Sequence, residues 1–66
     1  MKYYFSVTSV KTGKKLEPDG WGDEWVTESE TPADDDDVTA ALRERAAIYH
    51  ETPADEISAY IYHKKE

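Results

Sequence analysis

Ten carboxylates lie between Glu17 and Asp37, at Glu17, Asp19, Asp23, Glu24, Glu28, Glu30, Asp34, Asp35, Asp36 and Asp37, and no Lys or Arg interrupts them. Every basic residue of the chain lies outside that window. Interspersed charges mainly keep a surface soluble, whereas a block of one sign projects a field that draws in a cationic partner and repels an acidic one. The chemistry this points to is electrostatic docking. In its plainest form the block is a solvated loop followed by Asp residues that favour the positive end of a helix. In its sharper form it is a polyanionic ridge that docks in a basic groove and stands in for a nucleic-acid backbone, since duplex DNA carries one charge per ~1.7 Å of axis.

Aromatic residues form the second constellation. Tyr4, Tyr60 and Tyr62 sit at alternating positions of two strand-like segments, so they share a face if those segments pair. Half-exposed tyrosines often do no more than support cross-strand packing, but three together also match the composition found at the centres of protein interfaces. Trp21, between Gly20 and Gly22, is an exposed anchor in the functional reading and a cap on a small core in the structural one, which is the better supported in so short a chain. Arg45 falls within the apolar stripe of the expected helix, where it needs a carboxylate; Asp55 and Glu24 are the candidates, and a structural ion pair is the expectation.

Residues able to make or break bonds are scarce. There are no cysteines, and His50 and His63 stand at no ligand spacing with another His, so they read as surface or helix-end residues. The Asp run lacks the alternating oxygens, central Gly and trailing Glu of an EF-hand. No phosphate loop or nucleophile elbow is present, and a fold of this size is expected to offer little room for a pocket of ~300 Å³. The expectation is a protein that is not an enzyme and uses no metal and no cofactor.

The chain's 66 residues support one domain, with a core near the lower limit for unaided folding. Its net charge of −7 disfavours direct contact with nucleic acid or anionic lipid. No apolar run approaches the ~20 residues of a membrane span, and Met1 to Ser6 lacks a secretion signal, so the expected location is the cytoplasm. In charge and size the chain resembles small acidic inhibitors that imitate DNA, found among anti-restriction and anti-CRISPR proteins, although no motif carries the likeness.

The elements that position these residues follow from periodicity. Lys2 to Val10 alternates, with Tyr3, Phe5 and Val7 on one side and Tyr4, Ser6 and Thr8 on the other, as strand 1. Turn residues at Thr12 to Lys15 and Pro18 to Gly22 enclose an irregular ribbon. Glu24 to Glu28 is strand 2, offering the core either Trp25 or Val26. Thr31-Pro32-Ala33-Asp34 reads as a helix start with Thr31 as cap, opening an amphipathic helix from roughly Pro32 to His50. Its inner face centres on Val38, Leu42 and Tyr49, flanked by Ala41, Ala46 and Ile48. Thr52-Pro53-Ala54-Asp55 ends the helix and leaves room for a single turn. Ile57 to His63 alternates as strand 3, with Tyr60 and Tyr62 facing away from Ile57, Ala59 and Ile61.

The expected fold is therefore α+β: a small β-β-α-β two-layer domain whose three-stranded antiparallel sheet carries the helix on one face. Its inner layer should comprise Phe5, Val7, Ile57, Ile61, Leu42 and Tyr49. The order of the strands is left open by the sequence; if strand 1 lies between strands 2 and 3, all neighbours run antiparallel and the tyrosines gather on the uncovered face. The expected function is a protein-binding module, an inhibitor or modulator docking on a basic surface of a larger partner such as a nucleic-acid-binding protein. The alternative is a homodimer formed through the tyrosine face or an edge strand.

Overall fold

The computed structural model describes residues 1–20, 22–29 and 33–66. Strand β1 (Lys2–Ser9) is central in a three-stranded antiparallel sheet, between β2 (Trp25–Glu28) and β3 (Ile57–Lys65), and helix α1 (Asp35–Tyr49) packs on one face. The α+β fold read from the sequence is the fold observed. Alternation along β1 buries Tyr3, Phe5 and Val7 beneath the helix and leaves Tyr4, Ser6 and Thr8 half-buried on the other face.

After β1 the chain doubles back. Gly13 takes a φ of +71°, the left-handed region that glycine enters without a Cβ clash, and its amide donates to Ser9 O at 2.8 Å. Lys15 then bridges to Thr8, and Leu16 N donates to Val7 O at 3.0 Å, so the expected irregular ribbon lies along the end of β1. The β1–β2 register sets Trp25 opposite Phe5 and Val26 opposite Tyr4, which sends Trp25 into the core and Val26 to the open face. The buried indole is satisfied, because Nε1 donates to Leu16 O at 2.9 Å.

The helix starts later than its capping signals suggest. Asp34 is extended (φ −66°, ψ 133°) and its Oδ1 accepts from Asp36 N at 2.8 Å, making it the cap, with Asp35, Asp36 and Asp37 in the first turn. Thr31 and Pro32, expected as cap and first helical residue, lie outside the described residues. The buried stripe is Val38, Leu42 and Ala46. Tyr49 and Ile48, expected at its centre and flank, are 54% and 80% exposed. For Ile48 the reason is geometric: each step of four residues turns the row by ~40°, so it drifts past Ala46 and away from Ile48, whereas Tyr49 stays on the stripe's own side of the helix. By the last turn Trp25 fills the space below the helix, and Tyr49 meets its ring edge-on at 6.2 Å between centroids.

The helix ends in a two-bond cap. Thr52 N donates to Ala47 O at 2.9 Å and Glu51 N to Ile48 O at 3.3 Å, with Glu51 at φ +51° in a position usually held by glycine. Pro53 follows, then a single 3₁₀ turn (Ala54–Glu56) that leads into β3. The clean alternation expected for β3 is interrupted by a bulge: Phe5 pairs with Ile61 but Tyr4 with His63, which leaves Tyr62 as the extra residue. Beyond it Lys64 returns to the helix side, 6.0 Å from the Tyr3 ring centroid and 2.7 Å from Asp35 Oδ2.

The core comprises Tyr3, Phe5, Val7, Trp25, Val38, Leu42, Ala46 and Ile57, with Leu16, Ala47, Ala59 and Ile61 packed at its margin. Tyr3 and Trp25 thus supply bulk expected from Ile61 and Tyr49. Among the described residues no helix is long and apolar enough to cross a membrane.

Candidate protein-binding face

The bulge decides what the uncovered sheet face presents. By adding one residue at Tyr62 it turns both Tyr62 and His63 toward Tyr4, with ring centroids 6.5 and 5.2 Å away. Tyr60, opposite Ser6 in the β1–β3 register, is 60% exposed, and Tyr62 is 48% exposed. Tyr4, Tyr60 and Tyr62 are therefore brought onto one face, and His63 joins them. Only the odd residue count of the bulge places His63 there, and the sequence pattern carries no sign of it.

Beside the tyrosines the sheet carries a groove of about 860 Å³. This corrects the expectation that the fold leaves little room for a pocket. Strand β2 has four residues and pairs with β1 only as far as Phe5, so beyond that point β1 is flanked by irregular chain that stands beside the sheet as a second wall. Ser6 lies at the floor, Tyr60 and Tyr62 form one wall, and Leu16 and Pro18 form the other. Glu17, Asp23 and Glu24 bring three carboxylates to the lining, and Lys15 brings one ammonium.

Tyr62 and Glu24 close one end of the groove. Hydrogen bonding to the Glu24 carboxylate, with smaller contributions from desolvation and from that negative charge, pushes the Tyr62 phenol up to about 12. A tyrosine on β3 and the residue just ahead of β2 thus line the same groove.

The acidic block does not form one unbroken ridge. Glu17 lies near the C-terminal end of α1, where His50 Nε2 donates to its carbonyl at 2.8 Å, while Asp34 to Asp37 occupy the opposite end of the helix, ~22 Å away for 15 residues. Two of the acids are paired: Asp19 with Arg45 at 2.9 Å and Asp35 with Lys64 at 2.7 Å. The Arg45 partner is neither Asp55 nor Glu24, because the guanidinium leans over Trp25, 5.4 Å from the ring centroid, toward the loop that carries Asp19. Hydrogen bonding to Asp35 raises the Lys64 pKa, and Glu56 does the same for Lys11. Glu28 is paired in register with Lys2 at the far end of the sheet. Asp23 and Glu24 remain at the groove. Trp21 and Glu30, the other candidate contact residues, lie outside the described residues.

Among the described residues no three His, Cys, Asp or Glu side chains converge as metal ligands. Comparison with known proteins matches no family model, no curated protein and no solved structure.

Proposed function

We propose that this protein is a small binding module that docks its tyrosine-walled, acid-rimmed sheet face on a basic surface of a larger protein and thereby inhibits or modulates it. The observation that carries this reading is the juxtaposition of exposed Tyr60 and Tyr62 with the carboxylates of Asp23 and Glu24 around one groove. Aromatic area supplies contact energy, and the carboxylates supply attraction and orientation. Division of the acids into two clusters favours local docking over imitation of a long nucleic-acid backbone. A nucleic-acid-binding protein remains a fitting partner, and competition with duplex DNA for it tests that version. A cytoplasmic site of action suits a chain with no cysteine to oxidise.

The test is affinity capture from the source cell with elution by rising salt, run with wild type, with Glu17→Gln/Asp23→Asn/Glu24→Gln, and with Asp34 to Asp37 all changed to Asn. A partner whose association rate falls in the Glu17/Asp23/Glu24 variant and loses its salt dependence there supports the module, whereas an effect confined to the Asp34 to Asp37 variant moves the docking away from the sheet face. Capture that is indifferent to both variants and to salt rejects it.

A second reading is self-association, favoured by the position of β3: nine residues long, at the sheet edge, paired with β1 on one side. Sedimentation at several concentrations decides between the two, since a permanent dimer with no captured partner favours assembly.

A further inference from the structure

Building on the module reading, we infer that the groove over Ser6 takes an arginine side chain presented on an extended segment of the partner. The groove pairs aromatic faces with carboxylates. Tyr60 stands opposite Ser6 in register, whose small side chain leaves the floor open, and Tyr62 and Glu24 line the groove beside it. A planar guanidinium stacks on a tyrosine ring while its N–H fork donates to carboxylates, a geometry that a strongly hydrated ammonium does not reproduce. Asp23, Glu24 and Glu17 face it with three negative charges against the single positive charge of Lys15.

Elsewhere in the molecule the chain uses the same chemistry internally. Arg45 lies 5.4 Å from the Trp25 ring centroid and pairs with Asp19 at 2.9 Å, so an aromatic face and a carboxylate together hold a guanidinium in this fold. The volume, about 860 Å³, exceeds the needs of one side chain and leaves space for residues flanking it. Charge separates a foreign basic segment from a second copy as the occupant, because a chain of net charge −7 is repelled by its own acid rim.

The experiment titrates the full ¹⁵N-labelled chain with the peptide acetyl-Gly-Ser-Arg-Ser-Gly-amide and with its neutral citrulline counterpart. Saturable shifts centred on Ser6, Leu16, Glu24, Tyr60 and Tyr62 are expected, with the arginine peptide binding about tenfold more tightly, as one charge-assisted bond implies. Asp23→Asn/Glu24→Gln and, separately, Tyr60→Ala should each weaken binding about fivefold with the remaining spectrum unchanged. Equal binding of the two peptides, shifts centred on Asp34 to Asp37, or no saturation overturns the inference. So does the appearance of the same shifts on concentrating the protein alone, which assigns the groove to a second copy. Absence of peptide binding in a protein whose partner capture still depends on Glu17, Asp23 and Glu24 removes the arginine occupant alone, whereas loss of both removes the module reading as well.

Discussion

Arg45 grips Asp19 side-on, with Nε 2.9 Å from Oδ2 and Nη2 3.1 Å from Oδ1. The same guanidinium donates through Nη1 to Thr27 Oγ1 at 3.0 Å and through Nη2 to Val26 O at 3.2 Å. One side chain therefore ties the helix to strand β2 and to the loop that forms the groove's second wall. An exposed ion pair alone is worth at most ~1 kcal/mol, but here two further hydrogen bonds depend on the planar fork. Arg45→Lys keeps the charge and loses the fork, so it should cost about 1–2 kcal/mol in urea unfolding, close to the cost of Arg45→Met. Asp19→Asn, which retains an acceptor, should cost less than ~1 kcal/mol. Wild-type stability in Arg45→Lys would reduce the interaction to simple charge attraction.

Glu51 marks an unrelieved strain. Its φ of +51° places a non-glycine residue in the left-handed region to complete the helix cap. Glu51→Gly should remove the Cβ clash and raise stability by up to about 1 kcal/mol, the relief being partly offset by the greater freedom of glycine in the unfolded chain. Glu51→Val should lower stability, because a branched Cβ fits that region poorly. Thermal melts of the two variants should move in opposite directions, and a shared direction would show that the cap geometry is not what limits the helix end.

The Tyr62–Glu24 bond makes a prediction about alkaline pH. The phenol is neutral when protonated, and its folded-state pKa is pushed up to about 12 from an ordinary value of 10.0. A raised pKa means that the protonated form is favoured in the folded state, so the stabilisation is fully present below pH 10 and is lost as pH rises through 12. Lys64 and Lys11 are also raised, which adds to the loss in the same direction at high pH. Carbon-13 NMR of the tyrosine rings should show the Tyr62 resonance titrating late, and Glu24→Gln should bring it back toward the ordinary range. A Tyr62 titration unmoved by that substitution would separate the phenol from the groove's acid rim.

The strands themselves were legible because alternation in Lys2 to Val10 and in Ile57 to His63, with turn residues between, is a short-range pattern. Their order, with β1 in the middle, is a long-range fact that this pattern leaves open. The core list was less legible, since it depends on register: whether Trp25 or Val26 points inward is decided by which residue faces Phe5, a long-range fact. Tyr49 was misplaced for a related reason, as a wheel fixes angles along the helix but not the line along which the sheet meets it. The candidate site was partly visible. Types and alternation identified Tyr4, Tyr60 and Tyr62, while the groove depends on a four-residue β2 and on a bulge that no local pattern announces. The ten acids looked like one feature because they are contiguous in sequence; the helix then carries the last four to its far end.

Trp25 joins the core to the groove, and its replacement should expose that link. The indole is buried, lies beneath Arg45 and Tyr49, and donates through Nε1 to Leu16 O at 2.9 Å. That bond fixes the residue that heads the groove's second wall. Trp25→Phe keeps an aromatic ring in the core but removes the donor, leaving the Leu16 carbonyl without it, so a loss of about 1–3 kcal/mol is expected from the unsatisfied acceptor and the smaller ring. The sheet should survive, because the pairing of β1 with β3 does not involve Trp25. The local consequence should be a Leu16 to Pro18 segment whose amides exchange faster with solvent, while Tyr60 and Tyr62 retain their protection. Hydrogen exchange of Trp25→Phe therefore separates the two roles: uniform loss of protection makes Trp25 a core residue only, and selective loss at Leu16 and its neighbours shows that the core sets the shape of the binding face.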